Sequence, residues 1–257
     1  MKMSSRSVKK YFVLFALAAG AALLPQNAFA VGAIAQQIQG EVLVHKIAGP
    51  ADSWATVTQD TALASGDSIK TRKGTCALVY GDQATFNMLE NTALTVEETA
   101  TAQDLRLEIG KIKGKVNHDK VTLPFEVVTP AAVATVRGTE VDFGFNDQGQ
   151  LTVDLHNGNI DVVNEDAQMK LNLNGKKSIT LLYDKESNMI HLTNDCGSDG
   201  SVSFNVLGAD YSAGPCEQKE VSLSTAEQGT TNPETSSDPD DPENPDAGRR
   251  VTDAVHQ

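Results

Sequence analysis

Three lysines at positions 111, 113 and 115 alternate with Ile112 and Gly114, so an extended chain would project all three ammonium groups from one face. A cationic row of that spacing is chemistry for holding anions, either an anionic glycan or the carboxylates of a partner protein. Lys120 lies close by. The competing and preferred reading is a solvated sheet face, or an edge strand guarded by lysines against unwanted pairing. Arg137 is a second candidate. Its planar fork could take a ligand's carboxylate, but bracing a neighbouring carboxylate within the fold is the simpler use. Asp154 and Asp161 form a third set, discussed below with the turn that would bring them together.

Catalytic sets are missing. The sequence contains no G-x-S-x-G, no H-E-x-x-H, no phosphate-cradling glycine loop and no His/Cys pair at motif spacing. Its five histidines are scattered singly, and His191, between Ile190 and Leu192, reads as an ordinary strand residue. No CxxC occurs, so neither a structural zinc site nor any cofactor is expected. A glycosidase pair of carboxylates is defined by separation in the fold, not by sequence spacing. A glycoside-active enzyme therefore remains as the last of three functional alternatives.

The elements that must position these groups read as strands. Val141, Phe143 and Phe145 alternate with Asp142 and Gly144, and Leu151, Val153 and Leu155 with Thr152, Asp154 and His156. Asn157-Gly158 then has the composition of a type I′ hairpin turn. Such a turn would set Leu155 opposite Ile160, Val153 opposite Val162, and Asp154 opposite Asp161. A cation could bridge the two aspartates, but two solvated carboxylates are preferred, because divalent ions want more oxygen ligands than this.

Earlier in the chain Gly66-Asp67, Lys73-Gly74, Gly81-Asp82 and Asn91-Thr92 recur about every 8 to 10 residues, the rhythm of short strands in all-β folds. Leu105, Leu107 and Ile109 alternate with Arg106 and Glu108. The frame L-x-x-G-x-I occurs at Leu107, Gly110, Ile112 and again at Leu155, Gly158, Ile160. That echo fits stacked hairpins or β-arcs. Trp54, the single tryptophan, is expected to plug the core, with an exposed carbohydrate-binding face as the alternative.

The ends of the chain differ from its middle. Lys2, Arg6, Lys9 and Lys10 precede an apolar run from Tyr11 to Leu24 and the small-residue signal Ala28-Phe29-Ala30. Residues 1–30 therefore read as a cleaved secretory signal peptide, with an uncleaved inner-membrane anchor as the alternative. Removing four basic residues and no acidic ones moves the formal charge from −13 to −17. That balance argues against nucleic acid, whose phosphates demand a basic surface. The mature chain is expected to be periplasmic or secreted, with no membrane span. In an oxidising compartment Cys196 and Cys216 are the preferred disulfide, although any two of the three cysteines could pair, and Cys76 is expected to be a buried thiol. Residues 224–257 carry eight acidic and two basic side chains, with prolines at 239, 242 and 245 recurring every third residue. A disordered, self-repelling tail is expected there.

With these elements in order, the chain resembles the FecR domain family of bacterial envelope proteins. The resemblance rests on Gly66-Asp67-Ser68-Ile69-Lys70-Thr71, the run Phe86–Leu94, Gly110, Val128-Thr129-Pro130, Val136-Arg137-Gly138-Thr139-Glu140-Val141, and Leu155 through Val162. It spans roughly residues 40 to 163. It implies a β-rich, non-catalytic sensing or interaction domain outside the cytoplasm. Namesake members add a cytoplasmic anti-sigma segment and one membrane span. Nothing long enough for such a segment precedes the apolar run, so a stand-alone module is expected.

The motif residues have structural work available to them. Gly138 allows a positive φ at a bend, and Thr139 can satisfy a local backbone group. Pro130 makes Thr129 extended and ends a strand. Asn157 and Gly158 form the turn.

The expected fold is all-β, with antiparallel hairpins stacked as a β-sandwich or β-roll, or alternatively a short β-solenoid, and a disordered acidic tail. The expected organisation is a signal peptide over 1–30, a FecR-like β domain over 31–165, a β-rich extension or small second β domain over 166–223, and the tail. The expected function is non-enzymatic binding of a protein or anionic glycan in the envelope, with envelope signalling as its expected context. The alternative is a structural envelope component acting through a sheet edge or the tail.

Overall fold

A computed structural model of the chain describes residues 31–50 and 52–223; the expected signal peptide and acidic tail lie outside these residues. The first nine strands are β1 (Val31–His45), β2 (Ala55–Thr56), β3 (Thr61–Ala64), β4 (Ser68–Tyr80), β5 (Ala84–Met88), β6 (Ala93–Glu98), β7 (Gln103–Val116), β8 (Phe125–Val128) and β9 (Val133–Val136). The second nine are β10 (Glu140–Phe145), β11 (Gln150–Asn157), β12 (Asn159–Asn164), β13 (Met169–Asn174), β14 (Lys177–Asp184), β15 (Met189–Asn194), β16 (Val202–Val206), β17 (Ala209–Ala213) and β18 (Glu217–Ser222). No helical element accompanies them among the described residues. The fold is all-β, as the alternating patterns require.

The strands hydrogen-bond into one continuous network, and its ladders sort into two layers. One layer runs β2-β1-β4-β6-β7-β8-β9-β12-β13-β16-β17. The other runs β3-β1-β4-β5-β7-β10-β11-β14-β15-β18. The long strands β1, β4 and β7 belong to both, because each bends from one layer into the other. Burial records the bend. On β7, Leu105 and Leu107 are buried before Gly110, and Ile112 and Val116 after it, a change from odd to even positions. On β4 the change falls at Gly74, between Ile69 and Leu78, and on β1 at Gly40, between Ala35 and Val42. Gly110 has φ +101°, and a Cβ there would lie 2.4 Å from Thr92 Cα. Only glycine fits such a crossing.

From β9 onward arcs and hairpins alternate. Hairpins join β10 to β11, β12 to β13, β14 to β15 and β16 to β17 within one layer. Between them the chain crosses to the other layer. Both sheets run on past Asn164, one to β17 and the other to β18, without a break in their ladders. All pairings are antiparallel except β7 with β8, which is parallel through Gln103–Arg106 and Phe125–Val128.

This arrangement corrects the reading of Asn157-Gly158. The two strands beside it do not pair: β11 lies between β10 and β14, and β12 between β9 and β13. The dipeptide is a layer-crossing arc. Gly158 has φ +106° while Asn157 stays out of the left-handed region, so the two positive angles of a type I′ turn are not present. The physical reason is burial. A hairpin would leave the apolar face of both strands needing a cover, whereas the arc lets Leu155 and Ile160 bury on facing layers. Asp154 then sits opposite Asp142 and Ser178, and Asp161 opposite Thr135 and Asn172. The expected Asp154–Asp161 pair does not form.

Between the layers Phe86, Phe125 and Phe143 are fully buried, each contributing about 1.5–3 kcal/mol. Tyr80 meets Phe125 edge-on at 5.0 Å, and burial raises its phenol well above the usual range. Trp54, expected in this core, is 40% exposed instead. It precedes the two-residue edge strand β2, where no second layer covers it. Lys70 Nζ sits 3.7 Å from its ring centroid and His45 packs at 5.7 Å, so a cation–π contact and a ring contact take the place of core packing. Cys196 and Cys216 are disulfide-bonded, tying the β15–β16 connection to the turn before β18. Cys76 is a buried free thiol 3.6 Å from Met88 Sδ.

Candidate functional site

The lysine row lies on the outer face of the second layer. Lys111, Lys113 and Lys115 are exposed while Ile112 and Val116 point into the core. β7 is an interior strand there, flanked by β5 and β10, so the lysines do not guard an edge. Their neighbours on β10 are acidic or small: Glu140 opposite Lys115, Asp142 opposite Lys113, Gly144 opposite Lys111. Lys113 Nζ donates to Asp142 Oδ2 at 2.6 Å, and that hydrogen bond raises its pKa. Asp142 also lies 3.5 Å from His156 Nε2. The next strands continue the acidic row with Asp154, which accepts the Ser178 hydroxyl, a group also 2.9 Å from Asp195. The middle lysine is thus absorbed by carboxylates of its own sheet. Lys111 and Lys115 form no ion pair among the described residues.

Lys111 opens onto a groove of about 770 Å3 at the bend of β7. One wall is the β5–β6 turn with Glu90 and Asn91, the other the start of the β10–β11 hairpin with Phe145 and Asp147. Gly110, Gly144 and Thr152 make a low floor, and Ile109 stands in it 42% exposed. Ile109 reads in sequence as the third member of a buried Leu105–Leu107–Ile109 row. The register shift opposite Ala93–Leu94 takes it out of phase. Its place beside Gly110, at a bulge, is the signal that could have marked it. Nothing local in sequence brings Asn91 and Asp147 to the same groove; the ladder β5–β7–β10 does.

The motif residues sit elsewhere, at the crossings. Arg137 is exposed and forms no ion pair among the described residues, so the expected brace is not made. It lies in the arc from β9 to β10. Gly138 has φ +69°, and a Cβ there would strike His118 at 2.5 Å. Thr139 does not cap a backbone group either; its hydroxyl is buried without a partner, packed beside Gly158 of the next arc. Thr129 does form a local turn, its hydroxyl exchanging hydrogen bonds with the backbone of Ala132 at 2.9 and 3.1 Å. Pro130 follows the last residue of β8 by two, ending it. Asp67 is 2% exposed and accepts from Lys46 Nζ at 2.7 Å, Ile47 N at 3.0 Å and Ala64 N at 2.8 Å. It fastens the turn before β4. These residues build the frame around the groove and do not line it.

Among the described residues no group of three His, Cys, Asp or Glu side chains is placed to hold a metal ion. Among the described residues no helix is long and apolar enough to cross a membrane.

Comparison with known proteins agrees with this frame. The model of the family described as FecR protein matches residues 67–161, from the Asp67 turn to β12, and this stretch is a FecR-like domain. Two crystal structures of a candidate anti-sigma factor from Parabacteroides distasonis are similar to the chain, with TM-scores of 0.42 and 0.41 at 18% and 17% identity. The aligned part covers 49% of this chain in both cases, and 59% and 57% of those chains. The chain thus spans less than two thirds of the length of either. No curated protein matches it.

Proposed function

We propose that the chain is a non-enzymatic recognition module of the bacterial envelope, held outside the cytoplasm, which binds a partner protein or an anionic glycan in envelope signalling. The observation that carries this reading is the groove at the bend of β7. It combines an exposed apolar side chain, Ile109, with an ammonium group, Lys111, that forms no ion pair among the described residues, Glu90 and Asp147 standing in the walls on either side. Apolar contact beside an unspent charge suits a ligand with both features. The FecR-like match over residues 67–161 supports a regulatory rather than a catalytic role. Lys115 and Arg137 remain as peripheral cations for the same ligand, and Lys113 is the weakest of the set.

In-cell crosslinking of the full chain followed by mass spectrometry tests this. Ile109→Asp or Lys111→Glu should lower capture of the partner by about tenfold, the effect of losing roughly 1.4 kcal/mol. Lys113→Glu should lower it less, because that charge is already paired. Unchanged capture in both groove variants sinks the site. If capture survives them but is lost on truncation after residue 223, the structural alternative, acting through the tail, replaces the groove.

A further inference from the structure

On the outer face of the first layer three carboxylates stand in one row. Asp104 on β7 is the register partner of Glu97 on β6 and of Glu126 on β8. The row continues through Thr135 on β9 to Asp161 on β12, which Asn172 holds at 2.6 Å. One cation serves the group. Arg106 spends its fork on Glu97, with Nε 3.2 Å from Oε1 and Nη2 3.0 Å from Oε2. Asp104 is only 8% exposed, and its Oδ1 is buried with no hydrogen-bond partner. Glu126, half-buried, receives a hydrogen bond from Thr135. The other ionisable groups nearby, Glu98 on β6 and the buried phenol Tyr80 on β4, add no positive charge.

Asp104 and Glu126 are register partners across β7 and β8, and one shared proton would supply the donor that the buried Asp104 oxygen lacks. We propose that Asp104 and Glu126 form a proton-binding pair that fastens β8 to β7, taking up one proton as the medium is acidified and releasing it as pH rises. With the proton bound, one carboxyl O–H donates to the facing carboxylate and the orphaned acceptor is satisfied. With the proton lost, two like charges meet across the parallel β7–β8 pairing, and β8 loosens. Both groups titrate above the ordinary carboxylate range. For Asp104 the causes are burial and then Glu97, offset by Arg106; for Glu126 they are burial and then Asp104, offset by Thr135. The folded chain therefore holds protons over a window in which the unfolded chain has lost them. The stabilisation is complete below about pH 4, where unfolded carboxylates titrate, and is lost as pH rises through the raised folded values.

The test is amide hydrogen exchange on the full chain from about pH 4, where unfolded carboxylates titrate, up to neutral pH, corrected for the intrinsic pH dependence of exchange. Protection of Phe125–Val128 should rise several-fold towards the acid end of that range in the wild type. Asp104→Asn should abolish that dependence and hold β8 protected at neutral pH, because the amide supplies the missing donor. Glu126→Gln should do the same from the opposite side, so that misfolding of one variant leaves the other to decide. An infrared band of a protonated carboxyl that persists above the pH at which unfolded carboxylates titrate, absent in either variant, identifies the proton. A pH response that persists in both folded variants, or β8 protection that is flat with pH in the wild type, overturns the pair.

Discussion

Asp67 shows at the scale of a single residue how a sequence motif becomes a structural constraint. Its carboxylate accepts two backbone N–H groups and the Lys46 ammonium while almost wholly out of water. Asp67→Ala leaves those donors unmatched, and charge-assisted bonds of this kind are worth about 1.5–3 kcal/mol each before relaxation. A loss of about 2–3 kcal/mol in urea unfolding is expected, with no effect on groove ligands once folded. Cys76 makes the opposite case. Burial pushes its thiol up to about 12, so at pH 8 it should resist alkylation until the chain is unfolded, which mass spectrometry of labelled protein would show. Rapid labelling of the native protein would contradict the packing around Met88.

At the scale of elements the decisive positions are those where a strand changes layer. The L-x-x-G-x-I echo marks two of them, Gly110 on β7 and Gly158 between β11 and β12, although the second reads in isolation as a hairpin. Alternation alone cannot separate the two cases: it says that Leu155 and Ile160 are both buried and not whether they share a sheet. Gly110→Ala is expected to cost about 2–4 kcal/mol, from strain at a positive φ and overpacking against Thr92. Calorimetry would measure it. Because the bend also places Ile109 and Lys111, the variant should weaken groove binding together with stability. A neutral substitution there would mean that the strand does not need glycine to cross.

For the whole molecule, the continuous pairing from β1 to β18 makes the contact map strongly non-local, so folding should be slow for the size of the chain. The disulfide closes its C-terminal end. Reduction of Cys196–Cys216 removes a 20-residue closure, worth about 3 kcal/mol in the chain-entropy model. Reduced protein should unfold at lower denaturant concentration, with β15–β18 exchanging first and the residues of the FecR-like stretch last. Uniform loss of protection would mean that the two sheets unfold as one cooperative unit.

What the sequence by itself determined is the content of the strands. Period-two alternation and regular turn residues are local properties, written wherever one face of a strand must be buried, and they made the all-β class and the FecR-like frame readable. Leu105, Phe143, Val153 and Ile160 all face inward as the alternation requires. What only the tertiary structure decided is which strand lies beside which. The pairing partner is set by the global burial of both layers, and it dissolved the Asp154–Asp161 pair and left Trp54 at an uncovered edge. It also spent Lys113 on Asp142 and turned Ile109 out into a groove. The same pairing gathered Glu97, Asp104 and Glu126 into one row from three strands whose sequences give no sign of meeting.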